Sequence, residues 1–290
     1  MKKLNQKPDP DEVKEKIGEL VSGKMNVKCV VFDLDGTLLD ENSDVPEEFG
    51  EVLREAGEKG VTVAIGTSRP EKELLRLFPM KAENLLLYGL DGNVFIRNGE
   101  VQGRDILTRE EVEEIHAILS ECPDILTAYI GVDGDYMDES IIPHITEWGM
   151  DGIIKFNPKP FRPDADIISV FIFCPEGTDA AEKLIKGRLA PLSEHFDMPQ
   201  AGFGWISVQR KGIGKKQIIH KICDCLDISA DEIVVFGDSQ NDVPMLRAVR
   251  YSYAMKNASD EVRKQALYVT EEDNAHHGAI KAFRTILRRS

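Results

Sequence analysis

The sequence has no apolar run approaching the roughly 18 to 20 residues that cross a bilayer, and its opening residues, Met1 to Pro10, are polar. Neither a membrane span nor an apolar secretion signal is expected, and the expected location is the cytoplasm. Cysteine is scarce, with five residues at 29, 122, 174, 223 and 225. An odd, scattered set in a chain without an export signal makes no disulfide framework, so all five are expected as thiols. Cys223 and Cys225 stand two apart within a helical pattern and face different sides of it. No second Cys or His pair completes a zinc site with them. Positive charge is short as well: 36 Lys and Arg against 51 Asp and Glu give a formal net charge of −15. Nucleic-acid backbones are held by clustered basic side chains, so no nucleic-acid partner is expected. Nothing in the sequence sets an oligomeric state.

What is present is enough for a full core and two domains, at 290 residues and 42% hydrophobic. The negative charge is unevenly spread. From Asp105 to Gln200 there are 20 acidic against 7 basic residues, which leaves the rest of the chain near neutral and marks the segment as a domain of its own. The expected division is an N-terminal helical extension over 1–26, a catalytic core over 27–104 and 201–290, and an inserted α+β domain over 105–200.

Asp9, Pro10 and Glu12 read as an N-cap, a first-turn proline and a capping-box partner, predicting a short helix to about Ser22. The apolar run Val27 to Phe32 predicts a buried strand ending in Asp33, then a turn at Gly36 and a helix from about Pro46 to Lys59. Val61 to Ile65 predicts a second strand, with a helix opened by Pro70 after it. Leu85 to Tyr88 predicts a third, leading to a hairpin that turns at Asn98-Gly99. Late in the chain the alternation returns, with a helix over 214–226, a strand over 233–236, a helix over 242–249, strands near 251–255 and 267–269, and a helix over 276–287. Strands alternating with helices at this spacing predict an α/β fold with a parallel sheet covered on both faces. In the acidic segment Thr108 and Glu111 form a capping box before a helix to about Ser120. Strands are expected at 126–132 and 166–173, and a helix at 178–192.

Asp33-Leu34-Asp35-Gly36-Thr37-Leu38 stands where a buried strand ends, the edge of an α/β sheet at which ligands bind. Two carboxylates two residues apart, with a glycine to let the chain turn, can address one small volume. A carboxylate is already ionised at neutral pH and needs no partner base to act as a nucleophile. Its drawback is repulsion from an anionic phosphate, which a divalent cation removes, and hard oxygen ligands suit magnesium. The plain alternative is that both aspartates cap a turn. Three further features fall at other strand or helix ends: Thr67-Ser68-Arg69, Lys215, and Gly237-Asp238-Ser239-Gln240-Asn241-Asp242. Each also has a structural alternative, Thr67, Asn241 and Asp242 as caps and Lys215 as a solvated side chain.

These four ordered motifs resemble the signature of the haloacid dehalogenase superfamily, over Val27 to Leu287. The inserted α+β segment between the second and third motifs, with Asn257-Ala258 and Gly278 later, resembles the Cof-type branch with a type IIB cap. The resemblance implies a Rossmann-like parallel sheet carrying an α+β cap. It also implies a phosphatase that hydrolyses a small phosphorylated metabolite, a sugar phosphate first, through an aspartyl-phosphate. Asp33 would be the nucleophile and Asp35 the general acid and base. Thr67 and Lys215 would hold the phosphoryl oxygens, with Ser68, Arg69 and Asn241 also at the substrate. Mg2+ would be bound by Asp33, by the backbone carbonyl of Asp35 and by Asp238, with Asp242 in support. The resemblance leaves two alternatives, phosphomutase-like transfer and a non-catalytic ligand sensor on the same fold.

The sequence departs from the family's pattern twice. Asp91-Gly92 stands where Asn-Gly is usual, and Ser68 stands where glycine is common. Other conspicuous residues have plainer readings: His276 and His277 as solvated or capping side chains, and Trp148 and Trp205 as packing. Lys159 and Arg162 read as part of a solvated loop over Asn157 to Pro163.

Overall fold

The computed structural model describes residues 26–137, 139–141, 143, 161–162, 164–202 and 204–289. The helix expected from Asp9, Trp148 and Lys159 lie outside these. The chain divides into two compact units, one of Met1–Ile65 with Ile219–Ser290 and one of Gly66–Ile218.

The first unit opens with β1 (Cys29–Phe32), every residue of which is buried, followed by α1 (Phe49–Glu58) and β2 (Thr62–Gly66). Helix α1 starts three residues later than Pro46 suggests, because residues 47 and 48 form a turn that hands the Phe49 N–H to the Pro46 carbonyl at 2.9 Å. Strands β1 and β2 run parallel, Cys29 opposite Thr62 and Phe32 opposite Ile65.

In the second unit α2 (Glu71–Leu77) begins just after Pro70, which takes the N-cap position. Strands β3 (Leu85–Gly89), β4 (Val94–Arg97) and β5 (Glu100–Arg104) form an antiparallel meander. Its second turn has Asn98 at φ +54 and Gly99 at φ +74, the paired left-handed conformation that an Asn-Gly hairpin favours. The capping box at α3 (Arg109–Leu119) is made in both directions, Glu111 N–H to Thr108 Oγ1 at 3.2 Å and Thr108 N–H to Glu111 Oε2 at 2.7 Å.

Next come β6 (Leu126–Gly131), β7 (Asp135–Met137), β8 (Ile167–Phe173), α4 (Thr178–Lys186), β9 (Phe196–Asp197), β10 (Gln200–Gly202), β11 (Trp205–Arg210) and α5 (Lys215–Leu226). The strands make a second, antiparallel sheet in the order β10-β11-β8-β6-β7, with β9 on β11. Val112, Ile115 and Leu119 of α3 and Ala181 and Leu184 of α4 pack on Val170, Ile172, Ile206 and Val208 in one apolar core. Trp205 is interior packing as expected, 5% exposed and against Phe173. The Arg210 guanidinium grips Glu111 at 2.6 and 2.7 Å and holds its carboxyl below the usual range. The helix expected over 178–192 stops at Lys186. Gly187 ends it, and a short 3-10 turn over Ala190–Glu194 follows with Pro191 inside, where a missing N–H suits a helix start rather than an interior.

The first unit closes with β12 (Ile233–Gly237), α6 (Val243–Leu246), β13 (Tyr251–Ala254), α7 (Asp260–Arg263), β14 (Tyr268–Val269) and α8 (Gly278–Arg289). Its five strands are all parallel in the order β14-β13-β12-β1-β2, the arrangement expected of near-continuous apolar runs. One row of rings crosses four of them: Phe32 on Phe236 at 5.1 Å, Phe236 on Tyr253 at 4.9 Å, and Tyr253 on Tyr268 at 4.8 Å between centroids. The last helix begins at Gly278 rather than His276, because His277 sits at φ +55 and breaks the helical path. Among the described residues no helix is long and apolar enough to cross a membrane.

Candidate functional site

In the first unit, β1 delivers Asp33 to the strand end, where its N–H is bound by the Phe236 carbonyl at 3.1 Å. The turn that follows needs a glycine twice over. Gly36 has φ +75, and a Cβ there would lie 2.5 Å from Asp238 Oδ2. Thr37, 1% exposed, donates its hydroxyl to Asp238 Oδ1 at 3.1 Å, and Asn257 Nδ2 donates to the Gly36 carbonyl at 2.8 Å. Strand β12 delivers Asp238 in the same way. Asp242, fully buried, folds back to accept the N–H groups of Asp238 and Ser239, both at 2.9 Å, and so fixes the loop between them. Asn241 accepts the Ser239 hydroxyl, so its side chain is turned into this loop. Gly237 is compelled by closeness, since a Cβ there would lie 2.7 Å from that of Asp242.

The outcome is a group of three carboxylates: oxygens of Asp33, Asp238 and Asp242 lie within 4.8 Å of one another, and Asp33 is only 4% exposed. Like charges gathered in a poorly solvated place repel, and a divalent cation with hard-oxygen preference suits such a set. Asp35 is exposed and is not one of the three. Gly36→Ala should lower the melting temperature by about 2–8 °C, since forcing a left-handed residue costs about 1–2 kcal/mol, and should weaken magnesium binding by displacing Asp238. Thermal melting with and without magnesium checks both, and an unchanged magnesium midpoint would sink the link to Asp238.

In the second unit the Thr67-Ser68-Arg69 segment is pinned along the end of β3. Thr67 N–H binds the Tyr88 carbonyl at 3.0 Å, Leu90 N–H the Arg69 carbonyl at 3.0 Å, and Asp91 N–H the Thr67 carbonyl at 2.9 Å. Thr67 Oγ1 accepts the Arg69 N–H at 3.1 Å, which orients the hydroxyl while its hydrogen remains a donor. Ser68 donates to Asp91 Oδ1 at 2.7 Å, and the Arg69 guanidinium lies 3.7 Å from the buried Glu73 carboxylate. Lys215 opens α5 and is 3% exposed. Its side chain is therefore interior, not the solvated lysine of the plainer reading.

The residues with plainer readings fall as follows. His276 Nδ1 lies 2.6 Å from Asp273 and His277 Nδ1 2.6 Å from Glu48, both capping or pairing roles. Arg162 is an exposed side chain near Asp133 and Asp164. All five cysteines are thiols. Sequence reasoning missed the bond from Thr37 to Asp238, from a residue inside the first motif, and the role of Gln209. The Gln209 amide donates to Asp91 Oδ2 at 2.5 Å and lies in a strand that no sequence pattern had marked.

Comparison with known proteins places the chain as a whole. The chain is 25% identical over 263 residues to the 5-amino-6-(5-phospho-D-ribitylamino)uracil phosphatase YcsE of Bacillus subtilis, covering 90% of this chain and 96% of the relative. A crystal structure from Streptococcus mutans superposes with a TM-score of 0.79 at 23% identity, over 90% of this chain and 99% of that one. A haloacid dehalogenase subclass IIB sugar phosphatase superposes at 0.73 and 22% identity, over 89% and 98%. The model of the haloacid dehalogenase-like hydrolases matches residues 30–283, and with nearly the whole chain so covered, the protein belongs to that family, in its Cof-type branch.

Proposed function

We propose that this protein is a magnesium-dependent phosphatase that hydrolyses a small phosphorylated metabolite, a sugar or polyol phosphate first, through an aspartyl-phosphate on Asp33. The observation that carries the reading is the group of Asp33, Asp238 and Asp242 carboxylates. Magnesium held by Asp33, Asp238 and the Asp35 carbonyl, with Asp242 in support, would neutralise negative charge on nucleophile and phosphate alike.

The rest is done by this chain's own residues. An oxygen of Asp33 attacks phosphorus, the ester P–O bond breaks, and Asp35 gives its proton to the departing alkoxide. A water then loses a proton to the Asp35 carboxylate while its oxygen attacks the same phosphorus, which frees Asp33 and inorganic phosphate. The Thr67 hydroxyl and the Lys215 ammonium hold the phosphoryl oxygens, and such positioning and charge compensation supply most of the catalysis in phosphoryl transfer. Ser68 and Arg69, engaged with Asp91 and Glu73, and Asn241, engaged with Ser239, act by shaping the loops that bind substrate. The segment 105–200 is proposed as the cap that selects it.

The substrate class draws on relatives named as phosphatases of a ribityl-amine phosphate and of sugar phosphates. A panel of phosphomonoesters assayed with magnesium tests the reading, and no turnover across it would remove the phosphatase assignment. Asp35→Asn refines the test. It should cost about 10²–10⁴-fold on alkyl phosphates, whose leaving oxygen needs a proton. The loss should be much smaller on p-nitrophenyl phosphate, whose leaving group does not. Equal losses on both would withdraw the role of Asp35.

A further inference from the structure

Asp91 occupies a place that the reaction above does not use. It is 2% exposed, and each of its carboxylate oxygens accepts a different donor: Ser68 Oγ on Oδ1 at 2.7 Å and Gln209 Nε2 on Oδ2 at 2.5 Å. The Gln209 amide nitrogen also reaches Ser207 Oγ at 3.2 Å. Its oxygen lies on the side of Gly214, where a Cβ would stand 2.7 Å from it, so the amide presents its donor face to Asp91. The backbone at this point is unusual too. Leu90, Asp91 and Gly92 have φ of +49, +57 and +98 in succession, a conformation that two non-glycine residues adopt only when their surroundings impose it. The Asp91 and Leu90 N–H groups bind the carbonyls of Thr67 and Arg69, and Gln217 Nε2 lies 3.4 Å from the Asp91 carbonyl.

We propose that Asp91 is a positioning residue for the Thr67 loop, fixing it by main chain and side chain at once and tying it through Gln209 to strand β11. The turnover part of this proposal rests on the phosphatase reading. A carboxylate suits the place because both neighbours donate. An amide at 91 would present an N–H group toward one of them, and a carboxylate at 209 would set two acceptors against each other in a buried space.

The test is a charge-swap cycle of Asp91→Asn, Gln209→Glu and the double variant. Amide hydrogen exchange at Thr67, Arg69 and Asp91 is read alongside kcat and KM on a phosphomonoester from the panel. Gln209→Glu should speed exchange at these amides and lower kcat, each by about tenfold as expected when one buried hydrogen bond is lost, with KM held within about twofold. The double variant restores a donor facing an acceptor and should bring both readouts back to within about threefold of the parent. If Gln209→Glu does not fold, Asp91→Asn and Gln209→Ala carry the same cycle. Both break one link, so together they should cost no more than the worse of the two. Exchange that stays at the parent rate, or a double variant no better than Gln209→Glu, overturns the proposal whatever turnover does. A parent that hydrolyses no phosphomonoester removes the phosphatase reading instead, and exchange alone then judges the brace.

Discussion

Asp33→Asn is expected to abolish turnover, by on the order of 10⁴-fold or more, as loss of an attacking group does, without unfolding the protein. The first half of that expectation follows from chemistry: an amide oxygen is a far weaker nucleophile than a carboxylate, and no neighbouring group in the reaction scheme replaces it. The second half follows from geometry. Asparagine keeps the shape of the side chain, the main-chain bond from residue 33 to the Phe236 carbonyl at 3.1 Å is untouched, and one of three clustered negative charges is removed. The metal-free variant should therefore melt no lower than the parent. Parent enzyme quenched during turnover should carry a phosphoryl group on the peptide containing Asp33, found by mass spectrometry, and the variant should carry none. Activity within tenfold of the parent would show that Asp33 is not the nucleophile.

Much of this site was legible because its residues sit at element ends that the sequence marks locally. The apolar run before Asp33 and the run before Asp238 each announce a buried strand, and a polar residue just past such a strand falls at the sheet edge. The Thr108–Glu111 box and the Asn98-Gly99 turn were legible for a similar reason, since each depends on residues within four positions. The parts that were not legible depend on distant partners. Strand β11 alternates weakly as Trp-Ile-Ser-Val-Gln-Arg, and four of its residues are paired with β8. It lies past residue 200, where the acidic composition ends, so charge alone does not reveal that it shares a sheet with the segment before it. The convergence of Thr37 and Asn257 on the Gly36–Asp238 contact joins residues far apart in sequence, and no local pattern records it. Helix ends erred where one residue's backbone decides the matter: His277 in the left-handed region, and Gly187 followed by Pro191.

Magnesium is expected to raise the melting temperature of the parent and to be required for its turnover, and the two effects should separate when the metal or the ligands are changed. Without a cation, Asp33, Asp238 and Asp242 hold their oxygens within 4.8 Å at a cost in repulsion that the unfolded chain does not bear. A bound divalent cation reverses that cost. At about 100 times its dissociation constant it should stabilise the folded state by about 2.7 kcal/mol, a shift of about 5–10 °C if the unit that carries the cluster melts as one. Excess chelator should abolish both the shift and the activity. Asp238→Asn should raise the melting temperature of the metal-free protein, because a repelling charge is gone, while nearly erasing the magnesium-induced shift. Calcium should reproduce much of the thermal shift and little of the turnover, because its larger and more variable shell binds carboxylates without holding nucleophile and phosphate in line. Sodium chloride at matched ionic strength separates screening from binding, since screening stabilises the parent modestly and restores no activity. If magnesium left the melting curve of the parent unmoved, or moved that of Asp238→Asn equally, the acidic cluster would not be its site.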